Sequence, residues 1–152
     1  MHIKTSLYEQ DFYAWTQSQA EALAHRQISN LDWQNLQEEI SALGRQEYRE
    51  IVSRLTVLLG HLLKWELQPE KRSRSWFLTI REQRRSIRRH LKQNPSLKAR
   101  LPEALEEGFE AGTDLALRET GLPIRIFPLV CPYPLEQVLQ DYFLCDTTQD
   151  WD

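Results

Sequence analysis

No stretch of this chain is long and apolar enough to cross a bilayer. Its longest apolar run, LTVLLGHLLKW (Leu55–Trp65), is broken by Gly60, His61 and Lys64 and falls far short of the ~20 residues a membrane helix needs. Glycine is scarce, at five among 152 residues. No glycine-rich phosphate loop, GxSxG elbow or HExxH pair occurs, which excludes the P-loop, α/β-hydrolase and zincin chemistries. Cysteine is scarcer still. Cys131 and Cys145 have neither CxxC nor zinc-ligand spacing, so reduced thiols are the simplest reading. The opening MHIKTSLYEQDFYAW lacks the apolar core of a signal peptide. These absences predict a soluble, cytoplasmic protein with no disulfide and no membrane partner.

What is present is helix. A chain of 152 residues fits one domain, 1–152, which buries roughly two-thirds of the surface its unfolded chain exposes. Prolines cluster at Pro69, Pro95, Pro102 and from Pro123 onward, leaving long stretches free of breakers. The first helix is predicted from about Tyr8 to Gln27, with Phe12, Trp15, Gln19, Ala22 and Leu23 at helical spacing. Asn30 or Asp32 can cap a second, whose face is Trp33, Leu36, Ile40 and Leu43 before Gly44 loosens it. The third, about Gln46 to Gln68, has the clearest stripe: Ile51, Leu55, Leu58, Leu59 and Leu62. Ser73 or Ser75 caps a fourth to about Gln93, with Trp76, Phe77, Ile80, Ile87 and Leu91 inward and Arg84 inside that stripe. After NPSL, a fifth carries Leu101, Leu105, Phe109 and a ridge of small residues, Ala104, Gly108, Gly112 and Ala116, that admits a close neighbour. Gly121 and Pro123 stop it. The tail IRIFPLVCPYPLEQVLQDYF reads as a proline-rich extended segment and a short final helix begun by Pro134. The expected fold is all-α: an antiparallel bundle of four to five helices with that segment laid across it.

The net charge of −3 hides segregation. Lys71 to Lys92 holds nine basic residues and one acid, Glu82, whereas Glu103 to Glu119 holds six acids and one base, Arg118. Successive helices of opposite sign can neutralise each other, and a solvated basic face is the plainest reading. The same row, 71–92, could engage phosphates through Arg72, Arg74, Arg81, Arg85, Arg88, Arg89 and Lys92. Overall acidity argues against a dedicated DNA binder, and an acidic protein surface fits the same arginines.

The blocks LDWQNLQEEI, LLGHLLKW, QPEKRSRSW, TIREQR, PSLK, ETGL and FPLVCPYPLEQVL occur in the order found in a bacterial family that is abundant in cyanobacteria, domain of unknown function 29, which the chain resembles from about Asp11 to Phe143. The resemblance implies an all-helical fold and supplies no reaction. Matching positions include Trp15, Glu38, Glu39, His61, Trp65, Arg72, Trp76, Arg84, Glu119 and Cys131, none with an assigned catalytic role.

Glu39, His61 and Arg84 stand on or beside apolar stripes, where a charge needs a partner. One reading is an interhelical Glu39–Arg84 ion pair with His61 bonded nearby. The other is an anion pocket in which Arg84 and His61 meet a ligand between Trp65 and Trp76, with Glu39 and Arg72 in the same candidate binding set. A carboxylate-bridged metal centre needs a Glu-x-x-His motif on each of two helices, which the chain lacks. Glu38 and Glu39 diverge by about 100°, and His2, His25, His61 and His90 show no ligand spacing. No metal and no cofactor are expected. In RRSIRRH, Arg85 and His90 match in form the arginine–histidine motif of helical toxin-system ribonucleases. By helical geometry the two do not share a face, and His90 is expected to be exposed at its helix's C-terminal end. Cys131 reads as a small buried hydrophobe. The sequence thus favours a non-catalytic binding or regulatory module for an anionic partner, either an acidic protein or nucleic acid. The alternative is a small hydrolase or ribonuclease using His61 or His90. No feature sets the oligomeric state.

Overall fold

A computed structural model of the protein describes residues 6–145; His2 lies outside them. They contain helices and no strand: α1 (Leu7–Gln10), α2 (Phe12–Ala24), α3 (Trp33–Leu67), α4 (Arg74–Gln93), α5 (Leu101–Thr120) and α6 (Leu135–Val138), joined partly by 3₁₀ turns. The all-α expectation holds, but the first predicted helix is broken at Asp11 into α1 and α2, with Asp11 closing one and capping the other. The second and third predicted helices are a single helix of 35 residues, because Gly44, with nothing within 4 Å of where a Cβ would sit, costs the helix only about 1 kcal/mol. No membrane-length apolar helix occurs among the described residues. The chain divides into two compact units, Met1–Gln46 and Glu47–Asp152, with α3 contributing residues to each.

The first unit is tied by polar groups more than by a core. The Asp11 carboxylate accepts the Ala14 amide at 2.9 Å, capping α2. Trp15 Nε1 donates to Asp32 at 3.0 Å. Gln19, also buried, donates to the Asn30 carbonyl and accepts the Asp32 amide. Asp32 in turn caps α3 through Asn35, which holds its carboxyl below the usual range. Trp15, Gln19 and Ala22 are buried as expected, but Phe12, Leu23, Trp33, Ile40 and Leu43 are exposed.

The second unit contains the core. Ile51, Leu55, Leu58, Leu59 and Leu62 of α3 are fully or almost fully buried with Ile80 and Ile87 of α4. At roughly 1.5–3 kcal/mol for each such side chain, this stripe outweighs the surface ion pairs, worth about 0–1 kcal/mol each. Ser73 caps α4 by accepting the Trp76 amide. The small ridge of α5 sits directly on α3: a Cβ on Gly112 would lie 2.9 Å from both the Gly60 nitrogen and the Thr56 carbonyl oxygen. Gly121, at φ 69°, closes α5 in the left-handed conformation. Pro134 stands at the cap of α6 rather than inside its first turn.

Candidate functional site

Arg84 organises the C-terminal segment. It lies four residues after Ile80 and three before Ile87, so helical geometry drives it into the core face, where it is 2 % exposed. Its Nε donates to the Val138 carbonyl at 2.8 Å and its Nη2 to the Phe143 carbonyl at 2.8 Å. One turn on, Arg88 donates to the Leu139 carbonyl and pairs with Asp141 at 3.0 Å. Two guanidinium groups therefore pin the strap that runs from Val138 to Cys145. Within it Tyr142 and Leu144 adopt left-handed φ values of 71° and 64°. That conformation costs side-chain-bearing residues about 1–3 kcal/mol each, offset here by charged hydrogen bonds worth about 1.5–3 kcal/mol each.

Glu39 and Arg84 fall in different units, and each has partners within its own. Glu39 accepts the Tyr8 hydroxyl within the first unit, and Arg84 donates from Nε and Nη2 to the two carbonyls of the second. Burial pulls the Arg84 pKa down, with Cys145 and Asp141 opposing. The Cys145 thiol, 1 % exposed, is pushed up to about 11 by burial, against the pull of Arg84 and Arg72.

Between α4 and the strap lies a cleft of about 240 Å³. Arg81, Arg84, Arg85 and Arg88 line it, and among the described residues Asp141 supplies the one carboxylate; Phe77, Tyr142 and Cys145 contribute apolar or weakly polar surface. Arg81 and Arg85 project one turn apart from α4 and are exposed, with no ion pair among the described residues. The neutralisation expected between the basic and acidic helices is also missing: no ion pair joins α4 to α5 among the described residues. Arg100 pairs with Glu103 at 3.0 Å, at the start of α5 itself.

His61, Trp65, Arg72 and Trp76 belong to a different cluster, built around Lys64. Lys64 is 6 % exposed. Its ammonium is paired with Glu119 of α5 and lies 4.5 Å from the centre of the Trp76 ring. The hydrogen bond from Lys64 holds the Glu119 carboxyl below the ordinary range. His61 Nδ1 donates to the Val57 carbonyl at 2.8 Å, and burial lowers its pKa, helped by the nearby Lys64 charge. Arg72 donates to the Trp65 carbonyl at 2.7 Å while its guanidinium carbon sits 5.1 Å from the Trp65 ring. So the structure brings His61, Trp65, Arg72 and Trp76 to one end of the second unit but does not wall the Arg84 cleft with them.

His90 departs most from expectation. It is buried rather than exposed, with Nε2 2.9 Å from the Glu47 carbonyl oxygen. Arg85 and His90 therefore do not flank a common opening. Cys131 is half-buried and donates weakly to the Tyr133 carbonyl; burial raises its pKa.

These features define an all-helical protein with an arginine-lined cleft under a C-terminal strap. The family model for domain of unknown function DUF29 matches residues 7–144, nearly the whole chain, and the protein belongs to that family. No curated protein and no solved structure matches the chain.

Sequence reasoning missed Lys64, Asp141 and Tyr142. The signal for Lys64 was present, since it stands between Leu63 and Trp65 on a helix with little room for a solvated charge. Asp141 and Tyr142 enter only through the path of the strap, which no helical periodicity encodes.

Proposed function

We propose that the protein is a cytoplasmic binding module whose arginine cleft takes up a carboxylate-bearing segment of an acidic partner protein. The observation that carries this reading is the convergence of Arg81 and Arg85, exposed and without ion pairs among the described residues, on a concavity already bordered by Arg84 and Arg88. Gathering like charges costs free energy in the absence of a partner, and a carboxylate that accepts two guanidinium forks recovers it. A volume of about 240 Å³ suits one or two acidic side chains. Nucleic acid is the weaker partner for this face. Trp76 and Phe77, the aromatics nearest the arginine row in sequence, pack against the core instead of standing out as stacking platforms.

Fluorescence anisotropy with a labelled hexaglutamate peptide and a labelled single-stranded RNA, at low ionic strength, tests the assignment. Saturable peptide binding that the double variant Arg81→Gln/Arg85→Gln weakens at least about tenfold supports it; a single charged hydrogen bond is worth that much. Preference for the RNA, with a steep dependence on salt, would replace the acidic protein with nucleic acid. Equal binding by parent and variant would move the site off α4.

A further inference from the structure

We infer that His90, Glu50 and Glu47 form a binding site for a zinc-like divalent cation that bridges α3 and α4. The three residues offer ligand atoms lying within 4.8 Å of one another, all inside the second unit, away from the arginine cleft. Glu47 and Glu50 are three apart on α3 and so share a helix face; His90 reaches them from the last turn of α4.

The hydrogen-bonding pattern of His90 supports a cation. A carbonyl oxygen can only accept, so Nε2, 2.9 Å from the Glu47 carbonyl, carries the hydrogen. Its other neighbour is the Glu47 carboxylate at 3.1 Å, which also accepts. In the neutral ring, Nδ1 is then a bare lone pair, and it lies 3.5 Å from Glu50 Oε2. Two acceptors facing each other beside a largely buried imidazole repel unless a proton or a metal ion lies between them. The separation is long for a charged hydrogen bond, about 2.7–2.9 Å. It matches two ligands on one ion: bonds of about 2.0–2.2 Å to nitrogen and oxygen place tetrahedral ligand atoms about 3.4 Å apart.

The surroundings are those of a metal ligand set. The backbone carbonyl that accepts from Nε2 fixes the tautomer and ring orientation, as the outer contacts of ligating histidines do. Arg54 holds the other oxygen of Glu50, Oε1, through Nε and Nη2 at 3.1 Å each, leaving Oε2 toward Nδ1. The Glu47 side chain is about half exposed and can swing to supply the third bond. One imidazole with two carboxylates suits zinc or manganese better than magnesium.

The test is calorimetric titration of the chelator-stripped chain with Zn²⁺ alone, near neutral pH, with Mg²⁺ as control. We expect one saturable Zn²⁺ site, absent for Mg²⁺, weakened at least about tenfold in His90→Gln and in Glu50→Gln and unchanged in Cys131→Ser/Cys145→Ser. Should buried His90 prove intolerant of substitution, Glu50→Gln and Glu47→Gln at their half-exposed positions carry the same comparison. A proton in place of a metal between Nδ1 and Glu50 would leave the titration without a Zn²⁺ site and overturn the proposal. Zn²⁺ binding that survives Glu50→Gln but is lost in the cysteine variant would overturn it equally.

Discussion

Arg84 of α4 and Val138 at the end of α6 are joined by a 2.8 Å hydrogen bond from Nε to the backbone carbonyl, and the C-terminal strap is built outward from that bond. Replacing Arg84 with Met removes the donor from the buried bond to the Val138 carbonyl and from the part-buried bond to the Phe143 carbonyl. We expect a loss of about 2–4 kcal/mol in denaturant melts, as unsatisfied buried acceptors cost about 1–3 kcal/mol each. Arg84→Lys should restore little, because one ammonium cannot reach both carbonyls in the geometry of the fork. A lysine variant as stable as the parent would show that charge alone suffices.

Leu59 and Leu62 are wholly buried at the centre of the α3 stripe. Truncating either to Ala should cost about 2–5 kcal/mol, read as a shift of the urea midpoint at constant slope. A loss below about 1 kcal/mol at both would displace the core from α3.

Gly112 and Gly44 make a contrasting pair on two helices. A methyl group on Gly112 meets backbone atoms of Gly60 and Thr56 at 2.9 Å, which cannot yield locally, so Gly112→Ala should destabilise by about 1–3 kcal/mol. Gly44 has open space around it inside an exposed helical turn, so Gly44→Ala should stabilise by about 0.5–1 kcal/mol. Thermal melts of the two variants should move in opposite directions.

His61 gives a pH signature. Burial disfavours its imidazolium, so the folded protein binds that proton more weakly than the unfolded chain, where the ordinary value is 6.5. The stability involved is fully present above 6.5 and is lost as the pH falls from there through the lower folded value. Lys64 and Glu119 are the charged groups beside it. Denaturant midpoints measured from about pH 7.5 down to about pH 5 should fall less steeply for His61→Gln than for the parent. Parallel curves would mean that His61 titrates alike in both states.

Much of this architecture is legible in residue order. The stripe from Ile51 to Leu62, the small ridge on α5 and the burial of Arg84 follow from a period of 3.6 residues, and the cap at Ser73 from a serine oxygen that can accept a free first-turn amide. The apolar stripe Trp33–Leu43 misleads: Trp33, Ile40 and Leu43 are exposed, and Gly44 does not part the helices because one glycine costs too little. The partners of Arg84, Lys64 and His90 are hidden for another reason. Those of Arg84 are the Val138 and Phe143 carbonyls on the C-terminal strap, that of Lys64 is the Glu119 carboxylate 55 residues away, and that of His90 is the Glu47 carbonyl 43 residues away, so neither composition nor spacing marks them. His90 was misread because a histidine near a helix C-terminus suggests solvent, whereas α4 packs on α3 through its last turn.

The arginine cleft is tested most directly by following arginine Nε–H resonances while hexaglutamate is added at low ionic strength. The Arg81 and Arg85 signals should shift and saturate together, while Arg84, locked on Val138 and Phe143, keeps its protection from exchange. Signals of Arg81 and Arg85 that stay fixed throughout the titration, or shifts confined to arginines outside α4, would contradict the proposed site.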